Sequence, residues 1–357
     1  MIYSETESGI IAADSLQELT YKQKRMLLAS QNGGADAEKY AQTLIKTVGE
    51  GVYNKVKEKF RDKSYRGKVL ANLDKKGITC VTLKSAGYPS QLAALPVPPL
   101  VLYAKGNTKL LRGRMFGVVG SRRTPAPVLE ECKRVCAAVA EHIAIVTGVA
   151  DGADSAAIRG ALESGNVICV LPGGHDNSGA ADLRLLKKVE ERGLVLSEFP
   201  PYVKVQRHTF HLRNRIIAGL SEGVLVVSAG KKSGALSTAA YAADYSKELF
   251  AFPYGIGATQ GEGCNNLIKH GAMLCDGVQD MLEMLKLEAR EETEFGRSNL
   301  DGGEKAVYET LKREGEMHAE QLALTLGKTV TEVVTICAML EINGNVIRVG
   351  GNKFAAI

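Results

Sequence analysis

The sequence predicts an α/β fold: a doubly wound, mostly parallel sheet, with a small helical domain before it and a winged helix-turn-helix after it. Between residues 115 and about 287, near-continuous runs of Val, Ile and Leu alternate with helical patterns, as a parallel sheet buried on both faces requires. The segment before them shows helical periodicity. The last segment shows three helical patterns and then two short strands. At 357 residues, the chain is long enough for several cores.

The first 75 residues predict a small helical domain. From Ser15 to about Asp74, apolar residues recur at the spacing of short amphipathic helices, with breaks expected at Asn32-Gly33-Gly34 and at Gly49. The next segment, GITCVTLK, predicts a short strand. A proline-rich connector at residues 96–99 then leads to a second short strand at 101–104. We place the domain boundary at residues 75 and 76.

The sheet domain is expected to span residues 76–290. Six apolar segments have the composition of buried parallel strands, and most are followed by a helical pattern. These segments are MFGVVG, IAIVTG, NVICVLPGG, LVLSEF, GVLVVSA and ELFAFP.

The remaining residues predict a linker at 291–303 and a winged helix at 304–357. The linker region is acidic and rich in Gly, Ser and Asn. Three helical patterns follow, with an Asn343-Gly344 turn between the last helix and the strands. The third helix, at about 329–341, contains Glu332 and Glu341 but no Lys or Arg. A helix that reads duplex DNA normally presents cations or amides, so we expect this unit to contact protein instead.

Composition narrows the function classes. The net charge of +5 is mild and does not by itself indicate a polyanionic partner. Seven scattered cysteines without a CxxC or Cys/His set are expected to be reduced core residues, and no metal or other cofactor is expected. There is no apolar run of membrane-spanning length, and acidic residues stand where a secretory signal would be basic. We therefore expect a cytoplasmic protein with no membrane partner.

Ligands of an open parallel sheet bind beyond the carboxyl ends of its strands, so each of those loops is a candidate. The first loop, GSRRTP, has Gly120 for close backbone approach, the hydroxyl of Ser121, and the adjacent cations Arg122 and Arg123. This composition favours phosphate binding.

The second loop has Gly148 and Gly152 before Asp154 and Ser155, either of which could cap the next helix. The third loop, LPGGHDNSG, is rich in turn-forming residues.

The fourth and fifth loops add cations. The fourth, PPYVKVQRHTFHLRNR, is interpreted as a long connection that places basic side chains and an amide around Phe210: Lys204, Arg207, Arg213, Asn214 and Arg215. A ring offers a base a stacking surface and guanidinium groups fork onto phosphate, a combination suited to single-stranded nucleic acid. The fifth, AGKKSGALSTA, precedes a helix whose first N–H groups can receive an anion; its candidates are Gly230, Lys231, Lys232, Ser233 and Gly234.

Structural alternatives exist for each of these features. Glycine-rich turns occur in any doubly wound domain, and Phe210 would suit a core. Arg213 or Arg215 would, if buried, need a partner such as Asp154 or Glu198. His208 and His211 have no carboxylate or cysteine nearby at ligand spacing, which disfavours a metal site.

The order of several motifs resembles the DprA/Smf family (DNA processing protein A). The similar segments are YPSQLAALPVPPLVLYAKGN, GSRRTP, TGVADGADSAAIRGAL, VLPGG, LSEFPP, FHLRNRIIAGLS, KSGALSTA, FAFPYG and GCNNLIKHGA. The resemblance covers about residues 77–277, is weaker across the C-terminal unit, and fits the N-terminal helices by position only.

This resemblance implies a Rossmann-like domain in a cytoplasmic bacterial protein of natural transformation. Such proteins bind and protect incoming single-stranded DNA, form homodimers through that domain and load the recombinase RecA, and no catalysis is implied. Carried over by position, the DNA pocket falls on Ser121, Arg122, Arg207, Phe210, Arg213, Asn214, Arg215, Lys232 and Ser233.

The sequence also departs from the family pattern. Asp151 stands where an Arg is common, Ile158 where a His is common, His211 where a Pro is common and Ser228 where a Glu is common. Two alternatives therefore stay open. One is a nucleotide-binding sensor that uses the same groove. The other is a nucleotide hydrolase on a related fold, although LPGG is followed here by HDNSGAAD, without the Glu such enzymes need.

Overall fold

The computed structural model describes residues 3–31, 34–287, 302–343 and 345–356. The N-terminal part is helical, as predicted, and its described residues form five helices: α1 Glu5–Asp14, α2 Tyr21–Gln31, α3 Ala37–Val48, α4 Glu50–Arg61 and α5 Lys63–Lys75. The break at Gly49 is confirmed, because this residue separates α3 from α4 with a φ of +83° that favours glycine. Asn32 and Gly33 lie outside the described residues.

Helix α1 was missed by the periodicity argument, which began at Ser15. Its amino end is a capping box, in which the Ser4 side chain accepts from the Glu7 N–H and the Glu7 carboxylate accepts from the Ser4 N–H. The Ser-x-x-Glu spacing at residues 4–7 is the sequence signal that marks this helix.

A nine-stranded sheet forms the centre of the molecule. Its strands are β1 Thr79–Thr82, β2 Val101–Gly106, β3 Met115–Gly120, β4 Ala144–Thr147, β5 Val167–Val170, β6 Leu194–Ser197, β7 Gly223–Ser228, β8 Glu248–Ala251 and β9 Met273–Leu274. The spatial order is β1-β2-β6-β5-β4-β3-β7-β8-β9. Strands β1 and β2 pair antiparallel at one edge, whereas β3 to β9 run parallel. The six predicted core strands are confirmed as β3 to β8, and β9 was not predicted.

Helices cover both faces of the sheet, which confirms the doubly wound α/β prediction. They are α6 Ser90–Ala93, α7 Ala126–Ala140, α8 Ala153–Ala161, α9 Leu183–Arg192, α10 Arg207–Leu220, α11 Ala235–Asp244, α12 Glu262–Lys269 and α13 Val278–Met284, with 3-10 turns at Thr108–Arg112 and His175–Asn177. One apolar core joins the sheet to α7, α8, α9 and α13, and a second joins it to α6, α10, α11 and α12. The second core contains Leu92 of α6, Ile217 of α10 and Cys264 of α12.

The C-terminal part has its own apolar core. Its elements are α14 Gly302–Glu314, β10 Met317–His318, α15 Ala319–Leu326, α16 Val330–Ile342, β11 Val346–Gly350 and β12 Lys353–Ala356, and its sheet has the order β10-β12-β11. Three helices and a closing β-hairpin are the elements expected of a winged helix, but that assignment and the domain boundaries stay predictions. Most of the predicted linker and Gly344 of the predicted turn lie outside the described residues.

All seven cysteines are buried and free, in agreement with their interpretation as core residues. Across the described ranges, no single helix is both long and apolar enough to cross a membrane. Among the described helices, one pair, α15 and α16, passes the test of length and composition jointly, with a 110° bend between the two helices.

The N-terminal helices are attached to the sheet through a buried polar contact. The Tyr103 hydroxyl of β2 donates to Asp14 Oδ2 at 2.8 Å, and Lys24 Nζ lies 3.2 Å from Asp14 Oδ1. Tyr103 is 1% exposed and Asp14 is 7% exposed. Because a buried carboxylate is costly without donors, this contact makes the position of α1 depend on β2.

We expect Tyr103→Phe to lower the stability of the protein by about 1–3 kcal/mol, because the buried Asp14 carboxylate loses a donor. The measurement is the urea midpoint, followed by circular dichroism. Tyr40→Phe is the matched control, since Tyr40 is 40% exposed. Equal midpoints for the two variants would show that this hydrogen bond does not stabilise the junction.

Candidate nucleic-acid interface

A cleft of about 640 Å³ opens at the carboxyl ends of β3 and β7. From β3 the chain continues through β4, β5 and β6 toward one edge of the sheet, whereas β7, β8 and β9 extend toward the other. The loops that leave β3 and β7 therefore diverge, and such a switch point is where open parallel sheets bind ligands. The first loop, the start of α10 and the start of α11 line the cleft.

Three exposed arginines, Arg122, Arg123 and Arg207, border this cleft around a half-buried Phe210. Arg122 Cζ lies 5.8 Å from the centroid of the Phe210 ring, within the range of a cation–π contact. The guanidinium thus lies over one face of the ring, so one ligand could contact both groups.

The FHLRNR segment is helical, which corrects its interpretation as part of a long connection. Helix α10 begins at Arg207, so the connection after β6 is restricted to about residues 198–206. A helix places residues three, four and seven apart on one face. Phe210, Arg213, Asn214 and Ile217 accordingly all line the cleft.

Arg213 forms the floor of the cleft. Its side chain is 7% exposed, and its Nη1 lies 4.0 Å from Asp154 Oδ2 and 3.3 Å from the Val170 carbonyl oxygen. Burial lowers the pKa of Arg213 and raises the pKa of Asp154, and the attraction between the two groups opposes both shifts. Arg213 Nε is buried without a hydrogen-bond partner among the described residues. The structural alternative for Arg213 is therefore correct in part, because the same side chain lines the cleft and pairs below it.

Arg215 does not line the cleft, so its prediction as a nucleic-acid contact is not supported. The side chain forms an ion pair with Glu198, and Nη1 donates to the Val97 carbonyl oxygen at 2.7 Å. Burial raises the pKa of Glu198 to about 7, and the neighbouring Arg215 opposes that shift. Glu198 Oε2 is buried without a hydrogen-bond partner in the part of the chain that the structure describes, which explains why burial dominates. For Arg215 the structural alternative is correct.

Asn214 connects two helices. Its Nδ2 donates to Ser237 Oγ at 2.7 Å and approaches the Gly234 carbonyl oxygen at 3.4 Å. The amide therefore holds the start of α11 against α10, and only part of its surface faces the cleft.

The fifth loop contributes Ser233 and Gly234 to the cleft, together with the first turn of α11. Lys231 and Lys232 are exposed and lie outside the cleft lining, and Lys231 Nζ is 3.5 Å from Glu262 Oε2. Lys204 is also exposed and outside the lining. These three lysines can add to the surrounding potential but do not shape the cleft.

Three of the predicted phosphate-loop glycines serve packing between loops. A Cβ on Gly120 would lie 2.5 Å from Ala153 Cβ, and one on Gly152 would lie 2.4 Å from the Ser121 carbonyl oxygen. At Gly148 it would lie 1.9 Å from Arg213 Nη1 and 2.1 Å from Asp154 Oδ2. Gly120 also belongs to the cleft lining, so its expected role of admitting a ligand stays a prediction. A Cβ on Gly230 would lie 3.2 Å from the Thr259 carbonyl oxygen, whereas one on Gly234 would meet no atom within 4 Å.

The residues that depart from the family pattern have different surroundings. Asp151 is exposed and lies outside the cleft lining, whereas His211 is exposed within it. Ile158 is a core residue, 3% exposed. Ser228 is buried, and its carbonyl oxygen accepts from the Ser121 N–H at 2.8 Å. Asp151 therefore does not reduce the positive charge inside the cleft.

Sequence reasoning missed five uncharged residues of the cleft lining: Val119, Ala150, Ile217, Ala235 and Thr238. The helical spacing from Phe210 would have found Ile217, whereas Ala150 and Thr238 depend on how separate elements pack.

The charge of the cleft favours an anion. Its lining contains four arginines, at positions 122, 123, 207 and 213, and one carboxylate, that of Asp154. In the described ranges, no group of three or more His, Cys, Asp or Glu residues could hold a metal ion.

Comparison with known proteins identifies relatives over most of the chain. The family described as DNA recombination-mediator protein A matches residues 79–286. A putative DNA processing protein DprA of Mycobacterium tuberculosis is 33% identical over 277 residues, which cover 72% of this chain and 71% of that protein. The DNA processing protein DprA of Bacillus subtilis is 36% identical over 225 residues, which cover 61% of this chain and 75% of that protein.

Two solved structures share the fold. The X-ray structure of DNA processing protein A from Streptococcus pneumoniae has a TM-score of 0.58 and 29% identity, and the match covers 76% of this chain and 99% of that one. DNA processing protein A from Helicobacter pylori has a TM-score of 0.53 and 28% identity, and the match covers 58% of this chain and 96% of that one. The second structure was described for the single-stranded DNA binding mode of that protein.

We expect Gly148→Ala to destabilise the protein by about 1–3 kcal/mol, because the new methyl group would overlap the Arg213–Asp154 pair. Gly234→Ala is the matched control: this glycine has an ordinary helical φ of −61° and open space around it, so we expect little loss. Thermal unfolding of both variants is the measurement. Equal melting temperatures would mean that the pair tolerates displacement.

A second prediction concerns pH. Because the folded-state pKa of Glu198 lies above its ordinary value of 4.5, the stability that this group contributes is fully present below about pH 4.5 and is lost as the pH rises through about 7. Glu198→Gln cannot titrate, so its free energy of unfolding should vary less with pH across this window. Urea titrations at several pH values test this, with the exposed Glu163→Gln as control. An unchanged pH profile in Glu198→Gln would contradict the raised pKa.

Proposed function

The chain belongs to the DNA recombination-mediator protein A family, and we propose that it binds single-stranded DNA in the cleft between β3 and β7. The observation that carries this proposal is the placement of Arg122, Arg123 and Arg207 around Phe210 at the switch point of the sheet. We propose a binding role, without catalysis or a cofactor.

The geometry favours a single strand over a duplex. Guanidinium groups hold phosphates, and a half-buried aromatic ring offers its face to a base only when that base is unpaired. Base stacking contributes on the order of 1–3 kcal/mol with little sequence preference. Phosphate contacts displace counterions, so affinity is expected to fall steeply with salt. Binding should therefore tolerate mixed sequences and favour low ionic strength.

The wider role follows from the family. We propose that the protein acts in natural transformation, where it protects incoming single-stranded DNA in the cytoplasm and loads RecA. Homodimerisation through the Rossmann-like domain and a protein contact by the C-terminal unit belong to the same proposal. The lack of Lys and Arg in α16 supports a protein contact over duplex reading.

A nucleotide-binding sensor is the second candidate. The observation that favours it is the compact group of cations around the cleft, where Arg122, Arg123 and Arg207 are exposed and lie at its border. A small phosphate-bearing ligand would suffice to contact such a group. Thermal-shift screening with free nucleotides, run beside a single-strand binding assay, separates the candidates. Stabilisation by a nucleotide without single-strand affinity would favour the sensor.

We expect Arg122→Ala and Phe210→Ala each to weaken binding of a mixed-sequence single strand. For Phe210→Ala, which removes the stacking surface, the expected loss of affinity is about tenfold. Only the arginine change should flatten the slope of log affinity against log salt, by about one phosphate contact. Fluorescence anisotropy across a salt series, with single-stranded and duplex oligonucleotides, measures both effects.

Arg192→Ala is the matched control for charge. Arg192 is an exposed residue in the last turn of α9, at the sheet edge opposite the cleft, so its removal should leave affinity nearly unchanged. If Arg122→Ala and Phe210→Ala bind like the wild type, the DNA site lies elsewhere.

A further inference from the structure

A second cavity, of about 340 Å³, lies between helix α5 and the carboxyl end of β6. Its lining is aromatic: Tyr65, Tyr103 and Tyr202 surround it, together with Pro200 and Pro201. Tyr103 is buried, and in the antiparallel pairing of β2 with β6 it lies opposite Ser197, the last residue of β6. The cavity therefore opens at the same edge of the sheet as the arginine cleft.

The rings of Tyr65 and Tyr202 are held in place by their hydroxyl groups. The Tyr202 hydroxyl donates to the Ser15 carbonyl oxygen at 2.6 Å, and the Tyr65 hydroxyl lies 3.1 Å from Ser15 Oγ. Tyr202 is nevertheless 36% exposed. An aromatic side chain that is anchored at its polar tip loses little entropy when a flat ring stacks on it. This arrangement suits a planar ligand.

The charge around the cavity suits an anion. Lys68 is exposed on the lining and makes no ion pair with any described residue, and no Asp or Glu belongs to the described lining. The acidic groups nearby are already engaged. Asp14 accepts from Tyr103 and pairs with Lys24, and Glu18 pairs with Lys59 at 2.6 Å.

An exposed segment connects this cavity to the arginine cleft. Tyr202, Lys204 and Gln206 are exposed, whereas Val203 and Val205 between them are partly buried. From Val203 to Gln206 this alternation is that of an extended chain, so Lys204 and Gln206 lie along one side of it, and Tyr202 belongs to the turn immediately before them. The five residue steps from Tyr202 to Arg207 span at most about 17 Å. Lys204 lies midway and has no ion pair in the described part of the chain.

From these observations we propose that single-stranded DNA leaving the arginine cleft follows Lys204 and stacks a base against Tyr202 in the aromatic cavity. This inference rests on the proposed function, because it extends the same bound strand. It gives the N-terminal helices a part in binding, since Ser15, the residue that follows α1, anchors Tyr202, and α5 supplies Tyr65 to the cavity wall. It also gives Lys204 a phosphate contact outside the cleft.

The test compares a short and a long oligothymidine, of about 6 and about 20 nucleotides, by fluorescence anisotropy. The short strand can fill the cleft only, whereas the long strand reaches the cavity. Tyr202→Ala should lower the affinity for the long strand by about tenfold and leave the affinity for the short strand unchanged. Tyr202→Phe keeps the ring but loses the hydrogen bond to Ser15, so it should retain most of the long-strand affinity.

Lys204→Ala is an independent variant that does not alter the cavity walls. It should lower the affinity for the long strand and reduce the slope of log affinity against log salt by about one phosphate contact. The affinity for the short strand should not change. Tyr40→Ala is the matched control, because Tyr40 is an exposed tyrosine of the same helical part outside the cavity. It should bind both strands like the wild type.

The outcomes separate the two proposals. If the wild type binds neither strand, the proposed function fails. If it binds both with Arg122-dependent affinity, but Tyr202→Ala and Lys204→Ala leave the long strand unaffected, only the extended path is wrong. If Tyr202→Phe weakens the long strand as much as Tyr202→Ala does, Tyr202 acts by attaching α1 to the core, and the stacking role is overturned.

Discussion

The candidate site depends on one buried ion pair. Arg213 and Asp154 lie beneath the cleft, and each makes the burial of the other tolerable. The pair joins α10 to the start of α8 across the loop after β4, where Gly148 leaves the space that the two side chains occupy. Phe210 lies one turn before Arg213 on the same helix. The position of the ring, and with it the contact to Arg122, is therefore set by a charge pair that is itself almost inaccessible.

The topology of the sheet decides where such a pair can be useful. Strands β3 and β7 are adjacent and parallel, but the segments that follow them lead to opposite edges of the sheet. This divergence leaves a gap at the carboxyl ends of the two strands. Helix α10 passes beside this gap and presents Phe210, Arg213 and Ile217 from one face. A cleft of this kind combines cations, an aromatic ring and the amino end of α11 without a metal-binding cluster in the described residues. The cleft is therefore suited to bind an anion at a fixed position.

Short-range patterns predicted much of this arrangement. The apolar segments that became β3 to β8 were identifiable because strands buried on both faces have little freedom in composition. Ser121, Arg122, Arg207 and Phe210 were identifiable because loops and helix starts after parallel strands meet at one edge. The errors concern the direction of side chains. Arg213 and Arg215 are two residues apart on a helix and so point to different sides, which separates a cleft residue from one that is paired with Glu198.

The sequence by itself determined the fold class, the order of the strands along the chain and the set of basic residues near one sheet edge, because these follow from local periodicity and from rules of parallel sheets. Tertiary structure decided which of those residues face the cleft. It also decided that Gly120 and Gly148 serve packing, and that Tyr65, Tyr103 and Tyr202 meet in one cavity although they are distant in sequence. The physical reason is that burial and pairing depend on contacts between elements far apart in the chain, which no local pattern records.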